Sequence, residues 1–179
     1  MKLIVQIPCF DDAATLPSVI GAIPRRIARV DAVEILVIDD GSTDGAAETA
    51  RDCGADHVAR HPINRGLAAA FLTGLETALA RGADIIVNID ADDQYRAQDI
   101  PNLIAPILDG RADMVIGARP IEAIAHFSPV KKRLQRLGSW TARRLSGLEV
   151  DDAASGFRAM NRRAAARLNV FNRYAYTLE

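Results

Sequence analysis

Three times in its first 93 residues, this chain runs a short apolar, β-prone stretch straight into aspartates. Leu3–Pro8 leads to Asp11-Asp12, and Val33–Ile38 leads to Asp39-Asp40. Ile85–Ile89 leads to Asp90-Ala91-Asp92-Asp93-Gln94. Near-continuous apolar strands are those buried on both faces, as in a parallel sheet covered by helices. The intervening segments have helical spacing. Leu16, Val19, Ile20, Ile23 and Ile27 share one face over residues 15–29, where Pro24 is expected to kink or shorten the helix. Thr43 or Asp44 would cap a helix reaching about Cys53. A short strand, Asp56–Arg60, precedes His61-Pro62-Ile63-Asn64-Arg65-Gly66. Ala68, Phe71, Leu72, Leu75 and Leu79 then mark a helix closing at Gly82. A helix over roughly residues 99–108 and a strand Asp113–Ile116 follow. Such alternation predicts an α/β fold, an open, mostly parallel sheet with helices on both faces. Parallel strands would gather the three acidic sites on one edge, the edge where open α/β sheets bind ligands.

The third site is the most crowded. Three carboxylates and a carboxamide at a strand's end repel one another, and a cation relieves that repulsion. Hard oxygen donors of this kind suit Mg²⁺ or Mn²⁺, and a divalent ion there would bind the diphosphate of a nucleotide. The alternative is an acidic turn that merely caps the helix starting near Asp99. Hydrophobic residues make up 49% and charged ones 25%, enough for a full core, whereas aromatics are only 5%. Cys9 and Cys53 are too few for a disulfide framework, and no apolar run approaches membrane-spanning length. The N-terminus reads as a strand rather than a signal peptide, so the expected setting is the cytoplasm. No G-x-G-x-x-G follows the first strand, which argues against a dinucleotide oxidoreductase.

Net charge is −1, but unevenly distributed. Residues 1–118 carry 18 acidic and 10 basic side chains, and residues 119–179 carry 5 and 12. The acidic part suits a cation and the basic part an anionic partner. Lys131-Lys132-Arg133-Leu134-Gln135-Arg136-Leu137, continuing to Arg143-Arg144-Leu145, has six positive charges and no negative one. With Leu134, Leu137, Trp140, Thr141 and Leu145 on one face, it reads either as a basic amphipathic helix at an anionic membrane or as a helix packed on its own domain. Nucleic acid is not expected, because the basic residues form one segment without a base-reading motif. His57, His61 and His126 lack ligand spacing and read as structural.

Six stretches, in order, resemble the family 2 glycosyltransferases of the GT-A (Rossmann-like) fold, especially the dolichyl-phosphate mannose synthase-like, polyprenyl-phosphate branch. They are Ile7-Pro8-Cys9-Phe10-Asp11-Asp12, Val37 through Asp44, Asn64-Arg65-Gly66, Asp90-Ala91-Asp92-Asp93-Gln94, Gly117-Ala118-Arg119, and Asp152 through Ser155-Gly156-Phe157-Arg158. The resemblance implies a nucleotide-sugar-binding core over residues 1–118 and an acceptor-side segment over 119–179. It implies that Pro8, Phe10 and Ala91 border the nucleotide and that Asp12 and Asp40 accept hydrogen bonds from base or ribose. Asp90, Asp92 and Gln94 would surround Mn²⁺ or Mg²⁺, with Asp92 the direct ligand. Arg119 would pair with the diphosphate. Asp152 would act as base for a hydroxyl acceptor or orient a lipid phosphate, unless it only caps a turn, and Ser155 and Arg158 would lie on the acceptor side.

The implied activity is metal-dependent, inverting sugar transfer from a GDP- or UDP-linked donor to an acceptor such as a polyprenyl or dolichyl phosphate, peripherally at the cytoplasmic membrane face. The alternatives are a catalytically silent nucleotide-sugar-binding module and a receiver-like Mg²⁺-binding signalling domain. This chain departs from the usual pattern at Phe10-Asp11-Asp12, where Tyr-Asn-Glu is common, and at Asp93. It departs again at Tyr95-Arg96, where His-Pro is common.

Overall fold

The computed structural model describes residues 1–92, 94–118 and 155–168. Its strands are β1 (Lys2–Cys9), β2 (Ala32–Asp39), β3 (His57–Arg60), β4 (Ile85–Asn88), β5 (Met114–Ile116) and β6 (Arg158–Asn161). Its helices are α1 (Leu16–Ala22), α2 (Ala46–Asp52), α3 (Leu67–Ala80), α4 (Ile100–Leu108, after a 3₁₀ turn at Ala97–Asp99) and α5 (Arg162–Ala165). The sheet order is β3-β2-β1-β4-β6-β5. Strands β1 to β4 pair in parallel, and β6 is antiparallel to both β4 and β5. The predicted open, mostly parallel α/β sheet is therefore present.

Alternate side chains of the strands face opposite layers, as the period of two requires. Leu3, Val5, Ile7, Ile35, Val37, Ile85 and Val87 pack with Leu16, Val19 and Ile20 of α1, Ala46 and Ala50 of α2, and Ile100, Leu103 and Ile104 of α4. Ile4, Leu36, Ile38 and Ile86 face Ala70, Phe71, Leu75 and Ala78 of α3 and Ala165 of α5. At roughly 1.5–3 kcal/mol for each fully buried large aliphatic side chain, these two layers dominate the stability of the fold.

The prolines shape this frame in two ways. The first helix is shorter than its periodicity suggests and ends at Ala22. Ile23 is extended, as the residue before Pro24 is biased to be. Pro8, expected to end β1, instead lies inside it, buried and paired with Ile38. The carbonyls of Lys2 and Gln6 bond toward the β4 side, so by alternation Pro8 also faces that side. The β1–β4 ladder stops there at Gln6–Asn88, and the missing N–H costs no ladder bond.

Strand β6 is absent from the sequence reading. Arg158-Ala-Met-Asn is too short and too polar to stand out, yet it inserts between β4 and β5. Arg158 is paired with Asn88 on one side and Ile116 on the other. This insertion brings the turn before β6 to the same edge as the C-terminal ends of β1, β2 and β4.

Candidate active site

Two of the acidic strand ends are stitched into one wall. Asp11, in the left-handed region at φ 54°, donates its N–H to Ser42 Oγ at 3.0 Å and accepts the Thr43 N–H at 2.8 Å. Asp44 accepts the N–H groups of Ala13 at 2.8 Å and Ala46 at 3.1 Å. Asp39, wholly buried, accepts the Ser42 N–H at 2.8 Å. Arg60 Nε lies 3.1 Å from its other oxygen, which is ion-pairing distance without hydrogen-bond alignment. Phe10 is exposed at the mouth of this wall, as is Ile63 on the neighbouring loop. Gly41 joins the two: its φ is +80°, and a Cβ there would sit 2.5 Å from the Ile63 carbonyl carbon.

Asp40, expected to face base or ribose, turns inward and is 2% exposed. One oxygen takes the Arg65 N–H at 3.0 Å and lies 2.5 Å from His61 Nδ1, and the other takes the Gly66 N–H at 2.8 Å. His61 in turn reaches Thr73 Oγ1 at 2.9 Å. Asp40 thus holds the 61–66 loop and the start of α3, and His61 has the structural place read for it. A polar histidine closely followed by Asn-Arg-Gly was the available signal for this pairing, but its partner lies 21 residues upstream.

The β4 end differs. Asp92 is exposed and accepts only the Gln94 N–H, at 3.2 Å, among the hydrogen bonds described for it. Gln94 is also exposed, and Ala91 is buried in the core. Asp12, on the facing loop, has its carboxyl raised above the ordinary aspartate value. Burial is the first cause, and the Phe10 amide pulls the other way. The negative charges of Asp92, Asp44 and Asp11 add to the rise. The ends of β1 and β4 are neighbours in the parallel sheet, and the charge of Asp92 is one of the causes of that rise.

Among the described residues, no three His, Cys, Asp or Glu side chains form a closed metal cluster. One or two exposed carboxylates are nevertheless what a Mg²⁺-type ion takes when water and substrate phosphates complete its shell. The donor set fits such an ion.

Behind this edge runs a buried polar row. Gln6 Nε2 donates to Asn88 Oδ1 at 2.9 Å, and Asn88 Nδ2 donates to the Gly156 carbonyl at 2.8 Å. Gln6 and Asn88 interrupt otherwise apolar strands, and that interruption is the mark this row leaves in the sequence. Gly156 N–H donates to Tyr95 Oη at 2.9 Å, and the Tyr95 and Phe157 rings stack at 5.4 Å. Ser155, expected on the acceptor side, is fully buried. Its hydroxyl donates to Tyr95 Oη and accepts the Phe157 N–H, so it shapes the turn from within. Arg158 is half-buried, and its Nε donates to the Ser155 carbonyl at 2.6 Å. Asp93, Arg119, Asp152 and the basic segment 131–145 lie outside the described residues.

The model of the family described as glycosyl transferase family 2 matches residues 4–168. The chain belongs to that family. Among its relatives are an undecaprenyl-phosphate mannosyltransferase of Micrococcus luteus, 29% identical over 165 residues, and a polyprenol monophosphomannose synthase of Mycolicibacterium smegmatis, 29% identical over 176. The alignments cover 89% and 94% of this chain and 66% and 65% of those proteins. A solved structure of glucosyl-3-phosphoglycerate synthase from Mycobacterium tuberculosis, in complex with Mn²⁺ and UDP-glucose, superposes with a TM-score of 0.69 at 27% identity. That match covers 90% of this chain and 56% of the synthase. The chain thus spans about two thirds of the length of these two curated relatives. The GT-A fold expected from the resemblance is the fold of this structural neighbour.

Proposed function

We propose that this chain binds a nucleotide-diphosphate sugar, GDP- or UDP-linked, through a divalent cation and transfers the sugar with inversion to a polyprenyl phosphate. The observation that carries the reading is the parallel pairing of β1 and β4, which puts Asp12 and the exposed Asp92 and Gln94 together at the C-terminal edge of a GT-A sheet. The two relatives named for undecaprenyl-phosphate and polyprenol substrates support the acceptor class. The Mn²⁺ and UDP-glucose complex of the neighbour supports the donor class.

In this reading Asp90, Asp92 and Gln94 hold the cation, which when bound would neutralise the diphosphate and make it a better leaving group. Phe10 offers its exposed ring to the nucleoside. Pro8 and Ala91, both buried, support the strand ends beneath it. Asp12 accepts from base or ribose, and Asp40 serves by fixing the 61–66 loop. Arg119 pairs with the diphosphate. The acceptor oxygen attacks the anomeric carbon opposite that group. A lipid phosphate is already anionic, so Asp152 orients it rather than removing a proton, and Arg158 borders the same side. Positioning and charge stabilisation supply most of the rate. Lys131, Lys132 and Arg133 draw the chain to an anionic membrane surface.

Calorimetric titration with GDP and UDP, first with Mn²⁺ and then with EDTA, tests the donor site. Binding of one nucleotide that EDTA abolishes is expected, and no binding of either overturns the reading. Turnover with a polyprenyl phosphate then separates an enzyme from a module that only binds donor.

A further inference from the structure

Tyr95 is where the acidic loop after β4 meets the far end of the chain. The ring is buried and stacked on Phe157 with 30° between planes. Its hydroxyl accepts the Gly156 N–H at 2.9 Å and the Ser155 hydroxyl at 3.3 Å, so a phenol positions a turn that lies 61 residues later in the chain. Gly156 is held from three directions. Its N–H is bonded to Tyr95, its carbonyl accepts from Asn88 Nδ2, and its α-carbon presses on the Asp90 carboxylate so closely that a Cβ would collide with it. Asn88 is itself fixed by Gln6 from β1. Asp90 therefore rests against a backbone turn that the aromatic residue five positions along its own loop keeps in place.

We propose that Tyr95 is a positioning residue for the metal edge: by gripping Gly156 it fixes Asp90 beside Asp92. The inference rests on the reading of Asp90 and Asp92 as cation ligands. A phenol suits the task because its two-torsion side chain combines a rigid apolar plate with an acceptor for a buried amide. Tyr95→Phe keeps the plate and removes the acceptor. The buried Gly156 N–H then lacks that partner, and the turn must shift to find another, releasing the surface against which Asp90 is set. Groups that orient a metal ligand from behind typically change metal affinity by about 10- to 100-fold.

The test is Mn²⁺ titration of the whole chain, followed through the paramagnetic resonance signal of the free ion. Wild type, Tyr95→Phe and Ile4→Val are compared well below their melting temperatures. Ile4 lies in the layer under α3, away from the loop, and its variant serves as a control for lost stability. Tyr95→Phe is expected to weaken Mn²⁺ binding by about tenfold, with Ile4→Val within about twofold of wild type. A lower melting temperature with unchanged Mn²⁺ affinity in Tyr95→Phe would make the tyrosine merely structural and overturn the inference alone. A wild type that takes up no Mn²⁺ overturns the cation reading and this inference together. Amide exchange in wild type is a check that needs no variant: the Gly156 N–H should be protected, and exchange as fast as in an exposed loop also sinks the proposal.

Discussion

The ends of β2 and β4 are built from the same residue type and left in opposite environments. After β2, Asp39 and Asp40 are buried, and their oxygens meet amides, His61 and Arg60. After β4, Asp92 is exposed and its charge is felt at Asp12 across the edge. A buried carboxylate is tolerated when hydrogen bonds satisfy it. One left among like charges raises the energy of the apo edge and favours a cation. The contrast teaches that an acidic motif is available to a ligand only where the backbone has not already claimed its oxygens.

The largest effect should come from breaking the β2 end. Asp40→Ala removes the acceptor of two backbone N–H groups and the partner of a buried histidine. The expected loss is about 3–5 kcal/mol of unfolding free energy by denaturant titration. A loss under about 1 kcal/mol would mean that this carboxylate is not the anchor of the 61–66 loop. Next, Gly41→Ala forces an L side chain into φ +80° and against the Ile63 backbone. About 2 kcal/mol of destabilisation is expected, and the 61–66 loop should show faster amide exchange.

The β4 end should respond in the reverse sense. Asp92→Asn should cost little or no thermal stability, because the side chain is exposed and an amide oxygen can still accept the Gln94 N–H. It should nevertheless weaken Mn²⁺-dependent nucleotide binding at least about tenfold, or 1.4 kcal/mol. Unchanged binding would refute the ligand role, and a large stability loss would erase the contrast between the two ends.

The smallest effect sets the scale for an ordinary paired carboxylate at the opposite end of the sheet. Glu34 is held below the usual glutamate range by Lys2, at 2.8 Å, and then by His57, with burial opposing. A depressed folded-state value means that the stabilisation exists above the unfolded value and is lost as pH falls through the folded one. The stability difference between wild type and Glu34→Gln should be under about 1 kcal/mol at neutral pH and should fade as pH falls through and below the ordinary glutamate range. A difference that persists in acid would point to packing rather than charge.

Much of the fold was legible because it is local. Apolar runs such as Ile35–Ile38 and Ile85–Val87 declare buried strands, and Pro24 declares the early end of α1. The helical face of Phe71 and Leu75 needs no distant partner to be recognised. The acidic edge was legible too, since parallel strands must put their C-terminal ends together. Tyr95 was visible only as a departure from the usual His-Pro. Nothing near it in sequence shows that its hydroxyl meets Gly156, and β6 hid in four residues with no strand-like pattern.

The sequence by itself therefore determined the order of strands and helices from β1 to β5, the crowding of carboxylates at one sheet edge and the family whose motifs the chain carries. Periodicity, proline and strand-end chemistry act over a few residues. Tertiary structure alone decided which aspartates are occupied, that Asp40 and Ser155 turn inward, and that a late antiparallel strand brings Gly156 against Asp90. The decisive contacts join residues far apart along the chain, such as His61 with Asp40, 21 residues away, and Asn88 with Gly156, 68 residues away, and only the folded backbone brings them into hydrogen-bond range.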